Sequence, residues 1–553
     1  MRPRKAFMKF KSLLALLIIS AMLLSGCQGA SNLKDESQVD NDETISTDDN
    51  AEKESLIPED AIASLENGIT IDEVSIKVYK TEANANPISS NIYCADPTGV
   101  VHNGRLYVYG TSDQQQLEVK GHGNGSGYEH IKSLVIFSTD DMANWVYEGI
   151  INVGEIAPWI FNSWAPSIVS RVEEDGLTHF YLYFSNSGTG VGVLTSTDPV
   201  TGWTDPLGKP LIYQNMPGLT NCPAPFDPGV CIDDDGVGWL SFGGGNSGII
   251  HSLVPKIARL GEDMISIDSE FVSIDAPYFN EASELNFIDG VYYYTYCNDW
   301  VDHSVGWEEY EGFDVPPACA MAYMTTTTPL VADSWEYKGA YFYNAGQNAQ
   351  GASGMKWSNN HTHFLEFEGT NYILHHTNLL EDLNGSPDGF RSMMVDYLPM
   401  DPETQSIPMT AASREGVKQI KALDPYAVNP GSTMFTSAEV GFTKDVSPAS
   451  VSESKGSFVF IKSADFEFGA SAFMASVKGK GRIEVRLDDL ANEPCAYIEF
   501  DNDEYTNVIS NSFAEFDGRM HHIYFVFSDE NICLSDWSFI KAEESSRANE
   551  GVK

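Results

Sequence analysis

The chain has 553 residues, a formal net charge of −46 from 33 basic and 79 acidic side chains, and an aromatic content of 12%. Its length allows two or three domains with sizeable cores, and its acidity excludes nucleic-acid binding, which needs a basic surface. The same charge disfavours polyanionic substrates such as pectate, and it is compatible with neutral polysaccharides or with solubility alone.

Residues 1–27 are predicted to be an export signal. A basic segment precedes the apolar run LLALLIISAMLL, which is the order of a signal peptide. The segment ends in Leu24-Ser25-Gly26-Cys27, which resembles a bacterial lipobox. The resemblance implies cleavage before Cys27, acylation of its thiol, and a lipid anchor at the bacterial cell surface or envelope. An ordinary signal peptide and an N-terminal membrane anchor remain alternatives.

Residues 28–75 are acidic, polar and nearly free of aromatic side chains, which predicts a disordered linker between the anchor and the folded part. Seven cysteines follow Cys27, an odd number without a CxxC pair. This pattern indicates neither a zinc site nor a disulfide framework.

Residues 84–423 contain one pattern five times, a turn with glycine followed by alternating aromatic residues. The segments are NGRLYVYGT (103–111), DGLTHFYLYFS (175–185), DGVGWLSFG (235–243), DGVYYYTYC (289–297) and EGTNYILHH (368–376). Such turns before alternating residues predict β-hairpins. Five all-β units of this length predict a five-bladed β-propeller.

The Pro/Ser/Thr-rich segment over 424–453 marks a boundary, and alternation resumes after it. We therefore expect an all-β protein, with the propeller followed by a β-sandwich of the jelly-roll type over residues 429–541.

Three carboxylates recur at similar places in the repeat. Asp96, Asp227 and Glu281 precede the turn glycine of their units by 8, 9 and 9 residues. Similar offsets in a repeat predict that the three side chains face one end of the propeller axis. Hydrolysis of a glycosidic bond needs two carboxyl groups, one as an acid and one as a base or nucleophile.

At these residues the chain resembles glycoside hydrolase family 43. The ADP step at 95–97, WAPSI at 164–168, FDPGVCIDDDG at 226–236, NEAS at 280–283 and NNHTHF at 359–364 occur in the order of that family. The resemblance implies an inverting mechanism. It also implies that Asp96 is the general base, Glu281 the general acid, and Asp227 the residue that raises the pKa of the acid. Glu284 is a competing candidate for the acid.

Three further residues are candidates for substrate binding. Trp164 resembles a wall of the sugar pocket or packs within a blade, and Arg391 is expected to donate to sugar hydroxyls. His361 resembles the axial histidine of the family, which lies beside a calcium ion or its waters; a core histidine is the alternative. Because calcium prefers oxygen ligands, an imidazole is expected to reach it only through water.

The insert over 298–318 and the loop over 121–130 are expected to overhang the pocket, with a packed surface loop as the alternative for the insert. The C-terminal region resembles carbohydrate-binding module family 6, but it lacks the usual tryptophan and asparagine, so sugar binding and a structural role both remain open. The sequence thus predicts a glycosidase that releases terminal arabinofuranose or xylose from plant arabinoxylan or arabinan. An endo-arabinanase and a non-catalytic polysaccharide-binding lipoprotein are the alternatives.

Overall fold

The computed structural model describes residues 80–542, except 246–247, 348–354, 386–387, 468, 511–512, 515 and 517. The predicted export signal, Cys27 and the linker over 28–75 lie outside the described residues. No helix in the described part has the length and apolar character required to cross a membrane.

Five separate antiparallel sheets of consecutive strands form the predicted five-bladed propeller, which is confirmed. Blade 1 contains β1 (Ala95–His102), β2 (Arg105–Thr111), β3 (Leu134–Thr139) and β4 (Trp145–Ile151). Blade 2 contains β5 (Trp164–Val172), β6 (Thr178–Ser185), β7 (Gly190–Ser196) and β8 (Ile212–Tyr213). Blade 3 contains β9 (Gly229–Ile232), β10 (Gly238–Phe242), β11 (Lys256–Arg259) and β12 (Val272–Ser273).

Blade 4 contains β13 (Phe279–Ile288), β14 (Val291–Asn298), β15 (Met321–Thr326) and β16 (Glu336–Phe342). Blade 5 has three strands, β17 (Thr362–Phe367), β18 (Thr370–Thr377) and β19 (Ser392–Tyr397). The α-helices of the described part are α1 (Asp113–Lys120), α2 (Val153–Ile156) and α3 (Leu379–Asn384). Short 3-10 turns cover Ser187–Thr189, Trp307–Glu309 and Ala332–Ser334.

The repeated Gly–aromatic segments become the second strand of each blade, namely β2, β6, β10, β14 and β18. In blade 1 the turn residues Asn103 and Gly104 have φ of 51° and 74°. Positive φ at both central positions is the geometry of the two-residue hairpin that matches strand twist. The local turn signal therefore fixes the position of each hairpin along the chain.

Each pair of neighbouring blades encloses its own apolar core. Side chains of β2 and β3 pack against those of β5 and β6, and the same arrangement continues around the ring. The ring closes where Leu106 and Val108 of blade 1 meet Leu374 and Val395 of blade 5. The first and last blades are therefore joined by packing of apolar side chains. Burial of their apolar surface away from water stabilises this contact.

The C-terminal domain is a single nine-stranded sheet that curls around one core. Its strands are β20 (Asn429–Pro430), β22 (Thr436–Ala438), β23 (Val440–Phe442), β24 (Ser450–Ser452), β25 (Phe458–Asp465), β26 (Ala470–Leu487), β27 (Ala496–Ile509), β28 (Met520–Phe527) and β29 (Cys533–Lys541). The long strand β26 pairs with β29 near its start and with β28 near its end. The two layers of the predicted sandwich are thus continuous through one strand. Trp537 is buried in this core rather than exposed as a sugar platform.

The two domains are closely joined. The two-residue strand β21 (Thr433–Met434) pairs with β4 and becomes the outer strand of blade 1. Asn144 Nδ2 donates to the Lys462 carbonyl at 2.8 Å, and the Lys462 N–H donates back to Asn144 Oδ1 at 2.8 Å. An apolar cluster containing Phe435, Phe458 and Tyr524 also packs against Ala143 of the propeller.

Candidate active site

The innermost strands of several blades begin with an unusual backbone. Asp96, Ala165, Asp227 and Ala282 have φ of 49°, 39°, 50° and 62°. The pairing register shifts at the same place in β1, β5 and β13. Bulges and positive φ at non-glycine residues re-aim side chains, and they persist where the surrounding structure holds them.

The three predicted carboxylates do not occupy fully equivalent positions. Asp96 and Asp227 are themselves the residues of positive φ, whereas Glu281 directly precedes the residue of positive φ, Ala282. Glu281 therefore corresponds to Trp164 of blade 2, which precedes Ala165 in the same way. The sequence offsets differ by only one residue and could not reveal this difference.

Glu284, the competing candidate for the acid, is fully buried. Its Oε1 accepts a hydrogen bond from Ser167 Oγ at 3.0 Å and lies 3.2 Å from His363 Nδ1. A Cβ at Gly229 would lie 2.5 Å from the Glu284 backbone, so only glycine permits the approach of blades 3 and 4 here. Glu281, in contrast, is partly exposed. The partial exposure favours Glu281 over Glu284 as the carboxyl that a substrate can reach, and its role as the acid stays a prediction.

Asp96 is held by positive and donor groups. Arg391 Nη1 donates to both carboxylate oxygens, at 2.9 and 3.2 Å, and Thr111 Oγ1 donates to Oδ2 at 2.7 Å. Burial alone would raise the pKa of Asp96, but Arg391 and His361 lower it well below its usual range. Asp96 is therefore ionised across the physiological pH range.

Asp227 and Glu281 show the opposite behaviour. Burial and the neighbouring Asp227 and Asp96 raise the pKa of Glu281 to about 7. Burial raises the pKa of Asp227 to about 6, although the Ala282 N–H donates to its Oδ2 at 2.8 Å and Ser185 Oγ donates to its Oδ1 at 3.3 Å. Because Asp227 has these donors, the proton that the pair shares resides on Glu281.

Two histidines lie beside Asp96. His376 Nδ1 accepts from the Asp96 N–H at 3.0 Å, and its Nε2 lies 3.0 Å from the Asn359 carbonyl. Burial lowers the pKa of His376 to about 3, so it is neutral with the proton on Nε2. His361 Nδ1 lies 3.6 Å from Asp96 Oδ1. Burial would lower the pKa of His361, but Asp96 raises it overall.

Arg391 and Trp164 meet at Tyr128 of the Gly-rich loop. The Arg391 guanidinium lies over the Tyr128 ring at 4.7 Å, and Trp164 Nε1 donates to the Tyr128 carbonyl at 3.2 Å. Trp164 is partly exposed and makes an edge contact with the same ring. Arg391 is buried and donates to Asp96 and Asp113. Its predicted contact with sugar hydroxyls stays a prediction, as does the sugar contact of Trp164.

Comparison with known proteins identifies the family. The family model of glycosyl hydrolases family 43 matches residues 84–401. The chain belongs to family 43 of the glycosyl hydrolases. It is 34% identical over 442 residues to the arabinoxylan arabinofuranohydrolase of Bacillus subtilis (strain 168), covering 75% of this chain and 83% of the relative.

Two further comparisons cover a larger part of the chain than the family model does. The arabinoxylan arabinofuranohydrolase of Paenibacillus polymyxa is 29% identical over 510 residues, which is 85% of this chain and 76% of that one. The crystal structure of the Bacillus subtilis family 43 arabinoxylan arabinofuranohydrolase in complex with cellotetraose superposes with a TM-score of 0.77 at 29% identity. That match covers 84% of this chain and 99% of the other.

The described residues do not fit direct coordination of the calcium that family 43 resemblance implied. None of their histidine, cysteine, aspartate and glutamate side chains form a group of three or more able to hold a metal ion. The oxygens near His361 are engaged, because Asp96 accepts from Arg391 and Thr111, and Asp227 accepts from Ser185 and Ala282. A calcium held only through water beside His361 stays a prediction.

The insert over 298–318 has its own packed interior. Asp299 Oδ1 lies 2.8 Å from His303 Nε2, and the Tyr278 ring packs on His303 with centroids 4.4 Å apart. Trp300 of the insert contacts Trp357, whose side chain is 43% exposed, with centroids 6.0 Å apart. The insert thus combines packing with an aromatic surface, and its predicted contribution to the leaving-group subsite stays a prediction.

Sequence reasoning missed several residues that support the family 43 carboxylates, among them Thr111, Asp113, Ser185 and His376. Thr111 is the last residue of β2 and Asp113 lies two residues beyond it, in the stretch YGTSD. Polar residues at a strand end beside a candidate base were an available signal for these two. Ser185 is the last residue of β6 and His376 the penultimate residue of β18, but their partners become visible only in the folded ring.

Proposed function

We propose that this protein is an inverting glycosidase that releases terminal pentose units from arabinoxylan or arabinan, as an α-L-arabinofuranosidase, a β-D-xylosidase or both. One observation carries the proposal: Arg391 donates to Asp96 and holds its pKa well below the usual range, while burial and the neighbouring Asp227 raise the pKa of Glu281 to about 7. Opposite protonation of two carboxyl groups is what acid–base hydrolysis of a glycoside requires. The similarity to two arabinoxylan arabinofuranohydrolases supports this substrate class.

In the proposed mechanism Glu281 donates its proton to the glycosidic oxygen as the bond to the sugar breaks. Asp96 accepts a proton from a water molecule that attacks the anomeric carbon from the opposite face, so the configuration inverts. Asp96 is a weak base, because Arg391 stabilises its charge. Its contribution is to hold the water in line and to receive the proton as positive charge develops on the sugar. Asp227 keeps Glu281 protonated before each turnover.

The decisive experiment is incubation of the purified protein with arabinoxylan, arabinan and xylo-oligosaccharides. Identification of the released sugar, with its initial anomer followed by NMR, tests linkage and mechanism together. Free arabinofuranose or xylose of inverted configuration is expected. Internal cleavage of arabinan would favour an endo-arabinanase, and binding without hydrolysis would favour a polysaccharide-binding lipoprotein.

We also propose that Cys27 carries a lipid that keeps the enzyme at the bacterial cell surface or envelope. Support comes from the Leu24-Ser25-Gly26-Cys27 sequence and the acidic linker that follows it. The Cys27→Ser variant should leave the membrane fraction, and mass spectrometry should find acyl chains only on the wild-type N-terminus. If the wild-type protein carries no acyl chains, the segment is an ordinary signal peptide or an N-terminal membrane anchor and the proposal is wrong.

Two further parts of the proposal are a calcium ion held through water beside His361 and polysaccharide binding by the C-terminal domain. Dialysis against EDTA followed by differential scanning fluorimetry tests calcium, because a water-mediated ion would raise the melting temperature on re-addition. Affinity electrophoresis of the protein on arabinoxylan, with Glu281→Gln to prevent hydrolysis, tests polysaccharide binding.

A further inference from the structure

Arg391 lies between two buried carboxylates, of which only one belongs to the proposed reaction. Arg391 Nε and Nη2 donate to the two oxygens of Asp113, at 3.0 and 2.8 Å, and its backbone N–H donates to Asp113 Oδ2 at 2.9 Å. The remaining terminal nitrogen, Nη1, spans both oxygens of Asp96. A paired carboxylate contact of this kind fixes the plane of a guanidinium as well as its position.

The position of Asp113 is itself determined by the local fold. Asp113 is fully buried and opens helix α1, directly after the strand that carries Thr111. Ser112 caps this helix by accepting from the Gln115 N–H at 3.3 Å. The Tyr128 ring covers Arg391. The guanidinium therefore has carboxylates at both ends and an aromatic ring over its face, so its orientation is fixed before substrate arrives.

We propose that Asp113 is a positioning residue of the hydrolysis: it holds Arg391 flat so that Nη1 fixes the plane of the Asp96 carboxylate toward the attacking water. This inference rests on the proposed function, because it assigns Asp96 as the base. Asp113 touches neither water nor sugar and acts through Arg391. In-line attack depends on orientation, and displacement of a reacting group by about 1 Å can reduce the rate about 100-fold.

The test compares Asp113→Asn, Arg391→Lys and the double variant on p-nitrophenyl α-L-arabinofuranoside and on arabinoxylan. Asparagine keeps the shape of Asp113 but loses the charge and one acceptor. We expect kcat to fall about 10- to 100-fold while KM changes by less than about threefold. The double variant should lose no more than the worse single variant, because the two residues act as one unit. Multiplied losses in the double variant would overturn the proposal.

The matched control is Asp141→Asn. Asp141 is also fully buried in blade 1, but its carboxylate accepts from the Ala143 and Asn144 N–H groups of a hairpin turn. This variant should lower the melting temperature and leave kcat unchanged. If Asp113→Asn also changes only the melting temperature, Asp113 is structural and the proposal is wrong.

A second variant, Asp113→Glu, tests the proposal if Asp113→Asn does not fold. Asp113→Glu keeps the charge but displaces the guanidinium, so kcat should fall while circular dichroism stays that of the wild type; wild-type kcat would contradict the proposal. The wild type serves as the reference throughout. An inactive wild type overturns the proposed function, whereas an active wild type with an equally active Asp113→Asn overturns only this inference.

Discussion

Asp96 and Glu281 are both carboxylic residues, but their surroundings favour opposite protonation states. On the base side, Asp96 is surrounded by Arg391, Thr111 and two histidines. Around Glu281, the described structure gives the side chain no hydrogen bond or ion pair, and burial followed by the charge of Asp227 raises its pKa. Neighbouring cations favour the ionised carboxylate and neighbouring anions favour the protonated one. The protonation state that each carboxyl group favours thus depends on its burial and its neighbours and not on its residue type.

Glu281→Gln removes the proton donor and should have the largest effect. We expect kcat on arabinoxylan to fall about 100- to 10,000-fold, because the leaving oxygen departs without a proton. The loss should be much smaller on a dinitrophenyl glycoside, whose leaving group needs no protonation. Equal losses on both substrates would show that Glu281 is not the acid.

Asp96→Asn should produce a loss of about 100- to 10,000-fold on arabinoxylan, for a different reason. Without a base the water is not activated, so a better leaving group cannot restore the rate. Kinetics with both substrates therefore distinguish the two sides of the cleft. Recovery of this variant on the dinitrophenyl glycoside would contradict the assignment of Asp96.

Asp227→Asn should change the pH dependence more than the maximal rate. With the negative charge removed, the pKa of Glu281 falls from about 7. The acid is protonated only below its pKa, so the basic limb of the kcat/KM profile should move to lower pH. A basic limb that stays in place would remove Asp227 from the proposed role.

Thr111→Val should have the smallest effect on activity. Thr111 Oγ1 donates to Asp96 and accepts from the Ala165 N–H at 2.8 Å, so it also joins blade 1 to blade 2. Loss of these bonds should reduce the free energy of unfolding by about 1–3 kcal/mol and kcat by less than about tenfold. Thr139→Val, at a buried threonine in the β3–β4 turn, is the control and should reduce stability alone.

The sequence predicted the parts of this comparison that depend on local pattern. Turn glycines and aromatic alternation located the second strand of every blade. The offsets selected Asp96, Asp227 and Glu281, whose catalytic roles stay predictions. It did not predict which partners meet them, because Arg391 and Asp96 are 295 residues apart and meet only when blade 5 closes on blade 1. In the C-terminal domain, two alternating stretches, SAFMASV (471–477) and RIEVRLDD (482–489), are joined through KGKG into one strand, β26. Period-two patterning reports which face is buried and not where a strand bends.

The pairing of β21 with β4 has a consequence for how the protein can be divided. A chain ending at residue 423 would leave β4 as an open sheet edge and would uncover the apolar side of Ala143 that Phe435 protects. Unpaired strand edges invite other molecules to add to the sheet. A fragment that ends at residue 423, or at residue 401 where the family match ends, should therefore self-associate during expression.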